Sequence, residues 1–148
     1  MIPSRFENEV FFMANYKNLY MRFMDRNNIK YTDVKENVVK VVYTGDNLKT
    51  IPVFVFFDAD GEPLVSFKCW EIANFKDEKM AGGVIACNQL NKEYRWVKFY
   101  LDDDSDVVAQ IDAYVDEETC GSECASLVKR MVNIVDEGYP TFMRAMWA

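Results

Sequence analysis

The 148-residue chain is half apolar and 15% aromatic, which excludes a disordered polymer and is enough for a hydrophobic core that needs no disulfide or metal scaffold. Its 24 acidic and 17 basic side chains leave a net charge of −7, which repels phosphate backbones and anionic lipid. The nearest approach to a basic cluster, Lys92, Arg95 and Lys98, is interrupted by Glu93, Tyr94, Trp96 and Val97, so neither nucleic acid nor a membrane is an expected partner.

From Phe6 to Met24 the apolar residues Phe6, Val10, Met13, Tyr16, Tyr20, Phe23 and Met24 recur at mostly three and four, which predicts a first helix. Asn27 and Asn28 end it, since asparagine readily takes left-handed and turn conformations. The period then changes. Tyr31 to Val34, Val38 to Tyr43, Ile51 to Phe57 and Leu64 to Ile72 are rich in β-branched and aromatic residues and read as strands. Asp58-Ala59-Asp60-Gly61 between the last two reads as a tight hairpin turn.

Helical spacing returns from Lys76 to Lys92, with Met80, Val84, Cys87, Leu90 and Asn91 on one side. The Gly82-Gly83 pair inside it predicts a close approach of another backbone. Trp96 to Leu101 and Val107 to Val115 are further strands. The second alternates cleanly, with Val107, Ala109, Ile111, Ala113 and Val115 on one face and Gln110 and Asp112 on the other. A last helix follows Thr119 with Leu127, Val128, Met131, Ile134 and Val135 in one stripe. Gly138-Tyr139-Pro140 is expected to interrupt it before a short terminal helix that carries Phe142, Met146 and Trp147.

No boundary divides this order into two cores, so residues 1–148 read as one domain. Hairpin connections without βαβ units predict an α+β fold, with an antiparallel sheet of about five strands and N-terminal, middle and C-terminal helices. No stretch approaches the roughly 18 apolar residues of a membrane span, and Met1-Ile2-Pro3-Ser4-Arg5 lacks an apolar signal core. A cytoplasmic location is expected, with Cys69, Cys87, Cys120 and Cys124 as reduced thiols.

Four clusters resemble the YbjN-like family of bacterial proteins, labelled sensory transduction regulators. They are Asn28-Ile29-Lys30-Tyr31, Val55-Phe56-Phe57-Asp58, Cys87-Asn88-Gln89-Leu90-Asn91-Lys92 running into Trp96-Val97-Lys98-Phe99, and Val135-Asp136-Glu137-Gly138-Tyr139-Pro140. The paired asparagines Asn88 and Asn91 before an aromatic strand are the most specific of these. The likeness runs from about Leu19 to Pro140 and leaves out the first eighteen residues. It implies a fold like that of type III secretion chaperones and a chaperone-like, dimeric binding domain, and it carries over no catalytic residue.

The chain contains no histidine and so lacks the commonest general base and the commonest metal ligand. No catalytic residue, metal ligand or cofactor is assigned. Asp102, Asp103, Asp104 and Asp106 lie between two predicted strands, where Asp is an ordinary turn former, without the glycine and distant Glu of a calcium loop. Cys120 and Cys124 stand one helical turn apart, but a closed zinc site needs four ligands, and packed thiols are the expected reading.

The run Ile51-Pro52-Val53-Phe54-Val55-Phe56-Phe57 is apolar on both alternating sets. Either helices cover both faces of this strand or one face is left for a partner. Together with the resemblance this predicts an apolar sheet face, formed by Phe54, Phe56, Trp96 and Tyr100, that binds a protein client or a second copy of the chain. The expected function is a noncatalytic protein-binding module, chaperone-like or regulatory. The alternative is a metal- or thiol-linked, enzyme-associated role through the acidic turn or the Cys120 and Cys124 pair.

Overall fold

A computed structural model describes residues 15–148, and the part of the predicted first helix before Asn15 lies outside them. Helix α1 (Tyr16–Arg26) starts where the Asn15 side chain accepts a hydrogen bond from the Asn18 N–H at 3.0 Å, an N-cap that satisfies one of the unpaired donors of the first turn. It ends as the asparagine pair predicts. Asn28 takes a left-handed φ of 54°, and the N–H groups of Asn28 and Ile29 return to the carbonyls of Asp25 and Met24 in a Schellman motif.

Six strands follow in one antiparallel sheet: β1 (Thr32–Lys35), β2 (Val38–Tyr43), β3 (Ile51–Phe57), β4 (Leu64–Cys69), β5 (Lys98–Leu101) and β6 (Val107–Tyr114), in the order β1-β2-β3-β4-β6-β5. The count is one above the expected five, and β1 is a four-residue edge strand exposed along its length. The predicted β4 run to Ile72 breaks earlier because Glu71 adopts a φ of 57°. Pairing with the start of β6 resumes irregularly, the Val107 N–H donating to Ala73 and the Phe75 N–H to Ser105.

Helix α2 (Met80–Glu93) follows a single 3-10 turn at Asp77–Lys79. Its packed side is Gly83, Ala86, Cys87 and Leu90, so Cys87 and Leu90 of the predicted stripe face inward while Met80 and Val84 are exposed. The glycine decides this. A Cβ on Gly83 would stand 2.5 Å from the Phe75 ring, so the small face of the helix is the one drawn in. At Gly83 the close neighbour is an aromatic side chain, and at Gly82 it is the backbone that the sequence predicts, the Ala145 carbonyl standing 3.7 Å from an added Cβ.

Helix α3 runs unbroken from Cys120 to Trp147 with Pro140 inside it, where an interruption was expected. A proline in a helix leaves the carbonyl four residues earlier without its donor. Here that carbonyl belongs to Asp136, and the Asn47 Nδ2 group donates to it at 3.1 Å. The Asp136 carboxylate accepts three more bonds from the same loop, from the N–H groups of Asp46 (3.0 Å), Asn47 (2.8 Å) and Leu48 (2.9 Å). The β2–β3 loop thus repairs the helix at its proline and is itself tied down there.

The three described helices pack on one face of the sheet. The core joins inward residues of the strands, among them Val39, Val53, Val55, Phe67, Phe99 and Ile111, to Tyr20 and Met24 of α1, Leu90 of α2, and Val128, Met131 and Phe142 of α3. Phe142 lies 5.5 Å from the Phe99 ring and 6.2 Å from that of Phe75. The outer edge of the sheet at β5 is closed by Asn91. Its Nδ2 donates to the Phe99 carbonyl (3.0 Å) and its Oδ1 accepts from the Phe99 N–H (2.7 Å), so a side-chain amide stands in for a further strand.

Candidate functional site: the sheet face opposite the described helices

Alternation along the strands sends every second side chain to the face away from the helices. On β3 these are Pro52, Phe54 and Phe56, half-buried between the buried Ile51, Val53, Val55 and Phe57. The register extends the face sideways. Lys40 and Val38 stand opposite Phe54 and Phe56 on β2, and Lys68 and Ser66 stand opposite them on β4. Gln110 and Asp112 of β6 pair with Lys68 and Ser66, and Lys98 and Tyr100 of β5 lie beyond.

The centre of this face is aromatic. Trp70, just past β4, meets Phe54 at 5.0 Å and Phe56 at 5.7 Å, with interplanar angles of 61° and 90°, the edge-to-face arrangement that aromatic quadrupoles prefer. Lys40 Nζ stands 5.8 Å from the Phe54 centroid, and Lys68 Nζ stands 5.6 Å from that of Phe56 and 6.0 Å from that of Trp70, within cation–π range. None of Phe54, Phe56, Trp70 or Tyr100 packs against the core beneath the helices. Val42 and Tyr114, on the same face, are 52% and 75% exposed.

A polar side closes the patch toward β6. The Asp112 carboxylate accepts from Ser66 Oγ (2.6 Å) and Gln110 Nε2 (3.1 and 3.0 Å), with Lys98 Nζ at 3.5 Å. Desolvation raises its pKa. The bonds from Ser66 and Gln110 and the charge of Lys98 outweigh that and hold the carboxyl below its ordinary range. Tyr100 donates its hydroxyl to Gln110 Oε1 at 2.6 Å, so it belongs to this hydrogen-bonded side. At the other end a groove of about 440 Å³ joins Lys40, Pro52, Phe54 and Trp70 to the carboxylates of Asp102, Asp104 and Asp106.

Of the four residues predicted for the patch, the structure brings Phe54, Phe56 and Tyr100 to one face and sets Trp96 apart. Trp96 precedes β5 with a φ of 78°, which turns it over the sheet edge toward α3. There the Arg130 guanidinium lies 5.2 Å above its ring. Trp70 is the member that sequence reasoning missed. The signal was present, because Trp70 follows Ser66 and Lys68 at the same parity on the strand predicted to pair with β3.

The two alternative sites are also located. Asp102, Asp104 and Asp106 form the β5–β6 turn, where Asp102 Oδ1 accepts the N–H groups of Asp104 and Asp106 at 3.0 Å each, and Asp106 accepts from Asn74 Nδ2 at 2.8 Å. Cys120 and Cys124 are fully buried beneath α1, with their sulfurs 4.0 Å apart. Cys69 and Cys87 are buried separately. Burial pushes their thiols up to about 12 and about 11, which keeps them protonated and inert.

Among the described residues no helix is long and apolar enough to cross a membrane. No curated protein matches the sequence. Among solved structures the fold is similar to that of YbjN, "a putative transcription regulator from E. coli", with a TM-score of 0.59, 11% identity, and coverage of 84% of this chain and 93% of that one. It is also similar to a chain of the heterodimeric ExoU–SpcU complex from the type III secretion system of Pseudomonas aeruginosa, with a TM-score of 0.51, 12% identity, and coverage of 84% and 94%. At such identities the likeness is one of fold. The family model described as "putative bacterial sensory transduction regulator" matches residues 21–144, a span that holds the whole sheet, α2, the second half of α1 and nearly all of α3, and the chain belongs to this YbjN family.

Proposed function

We propose that this chain is a noncatalytic, cytoplasmic protein-binding module, chaperone-like or regulatory, that holds an apolar segment of a partner protein or a second copy of itself against the sheet face that the described helices leave uncovered. The observation that carries this reading is the Phe54, Phe56 and Trp70 cluster, which is central on the sheet yet outside the core. An antiparallel sheet with one solvated face ordinarily sets polar residues outward. This one sets aromatics there and rims them with Lys40, Lys68 and the Asp112 network, the pattern of an apolar centre inside a polar margin that protein interfaces use. The family description as a regulator and the similar fold within a heterodimeric complex support a binding role.

The test is the mass in solution by light scattering over a range of concentrations, for the wild type and for Phe54→Glu,Phe56→Glu. A wild-type dimer that becomes a folded monomer in the variant places the face at a self-interface. A wild-type monomer moves the occupant to a different protein. A wild-type dimer that the two glutamates leave intact contradicts self-association through this face.

A further inference from the structure

Only every second residue of an antiparallel strand turns its N–H and C=O toward a given neighbour. On β6 the Val107 N–H donates to the Ala73 carbonyl, the Val107 carbonyl accepts from the Ile72 N–H, and the Val115 N–H donates to the Pro63 carbonyl. The odd-numbered residues therefore face the β4 side, and Asp112 and Tyr114 face the β5 side. β5 does not reach them. Its pairing ends at Lys98 opposite Gln110, because Trp96 takes a φ of 78° and the Val97 N–H closes back on the Arg95 carbonyl. This is a γ-turn, strained for a residue with a side chain, and such strain gathers at ligand sites. No described residue pairs with the Asp112 and Tyr114 backbone on that side. Asn91 caps the edge of β5 itself, so the run beside it is left open where its neighbour is closed.

The open edge forms one wall of a groove of about 480 Å³. Ile111 and Ala113 turn toward the core along it, α3 stands opposite with Ser126 and Leu127, and Trp96, 56% exposed, lies at the β5 end. There the Arg130 guanidinium stands 5.2 Å from the Trp96 ring. A guanidinium stacked by its face keeps its N–H edge for a carboxylate, and no carboxylate among the described residues pairs with Arg130. The acids of the groove are engaged elsewhere. Asp112 is held by Ser66, Gln110 and Lys98. Glu123 accepts from the Asp116 N–H and lies about 10 Å along α3 from Arg130.

We infer that this groove binds the C-terminal end of a partner polypeptide, added as an antiparallel strand beside Ile111–Tyr114 with its terminal carboxylate on Arg130. The N–H and C=O groups of Asp112 and Tyr114 are the partners of its backbone. A strand added antiparallel to β6 runs in the direction of β5, so it enters beside Tyr114 and ends at Trp96. Trp96 and the start of β5 occupy the line ahead, which suits a chain end and obstructs a strand that would pass through. Side chains alternate along the added strand. Every second one meets Ile111, Ala113 and Leu127, which favours small or branched apolar residues there, and the others stand in solvent beside Tyr114. In strand addition the main chain supplies affinity, and the side-chain pockets and the carboxylate site set specificity. The groove is separate from the Phe54, Phe56 and Trp70 cluster, and the inference does not rest on the function proposed for that cluster.

The full-length chain is used to select from a displayed library of random heptapeptides with free C-termini, and the best sequence is made as a fluorescent peptide in acid and amide forms. Enriched peptides are expected to carry apolar residues at alternate positions near the C-terminus. By fluorescence polarisation, at least tenfold weaker binding is expected for the amide and for Arg130→Ala. The same loss is expected for Tyr114→Pro, which removes an N–H that an outward strand edge can spare without unfolding, while Tyr114→Phe is expected to bind as the wild type. Circular dichroism first shows each variant to be folded. No enrichment over a blank surface, or acid and amide that bind alike, overturns the inference, and a loss in Tyr114→Phe equal to that in Tyr114→Pro overturns the backbone pairing. A readout that needs no variant is amide hydrogen exchange. In the chain alone the Asp112 and Tyr114 amides are expected to exchange at least tenfold faster than those of Ile111 and Ala113, and to slow when peptide binds. Asp112 and Tyr114 amides already protected in the chain alone overturn the open edge.

Discussion

Asp136 has a part out of proportion to its size, because one carboxylate takes three backbone N–H groups from a loop that would otherwise hang free of α3. Burial raises its pKa, and the three amides outweigh that and hold it below the ordinary carboxylate range. A folded value below the unfolded one means that this stabilisation is complete above about pH 4 and is lost as pH falls through the folded value. Asp136→Ala is expected to cost about 2 kcal/mol in urea unfolding at neutral pH. The difference from wild type should shrink in acid, and a difference independent of pH would contradict the assignment. Asn91→Ala strips both partners from the Phe99 backbone and is expected to cost about 1–2 kcal/mol, with faster hydrogen exchange at the Phe99 amide. Both residues lie in clusters that the sequence marks as family-like. Their partners were not legible, since Asp136 reaches a loop 88 to 90 residues away and no local pattern encodes that distance.

At the scale of elements, periodicity located every described helix and strand, and the errors cluster where one residue overrides the pattern. The α2 stripe was read from Met80 and Val84 because large apolar residues ordinarily face inward. Packing against Phe75 instead drew in Gly83 and left Ile85 67% exposed. Gly83→Ala is the check. Alanine gains about 1 kcal/mol of helix propensity, but its Cβ meets the base of the Phe75 side chain, 2.7 Å from Cβ. Overpacking of this kind costs about 1–3 kcal/mol, so a net loss of thermal stability is expected, and a stabilised variant would contradict the packing. The break expected at Pro140 failed for a related reason. A proline predicts an orphan carbonyl, and only the folded chain shows that Asn47 arrives to pair it.

For the molecule as a whole, the sheet separates two chemistries. One face, with Val53, Val55 and Phe67, is sealed under three helices, and the other, with Phe54, Phe56 and Trp70, is left outside the core. The doubly apolar β3 run announced that one of two arrangements must hold, but it could not choose between them. The choice depends on where α1, α2 and α3 lie, and helix spacing does not say which face they share. The most direct test is urea unfolding of Phe54→Glu,Phe56→Glu beside Val53→Glu. If the face opposite the described helices is surface, the double variant keeps one cooperative transition and loses about 2–3 kcal/mol from the partial burial and ring contacts of two phenylalanines. Val53→Glu, which buries a carboxylate under the helices, is expected to unfold the chain. A double variant as unfolded as Val53→Glu would show that Phe54 and Phe56 belong to the core and would contradict the account.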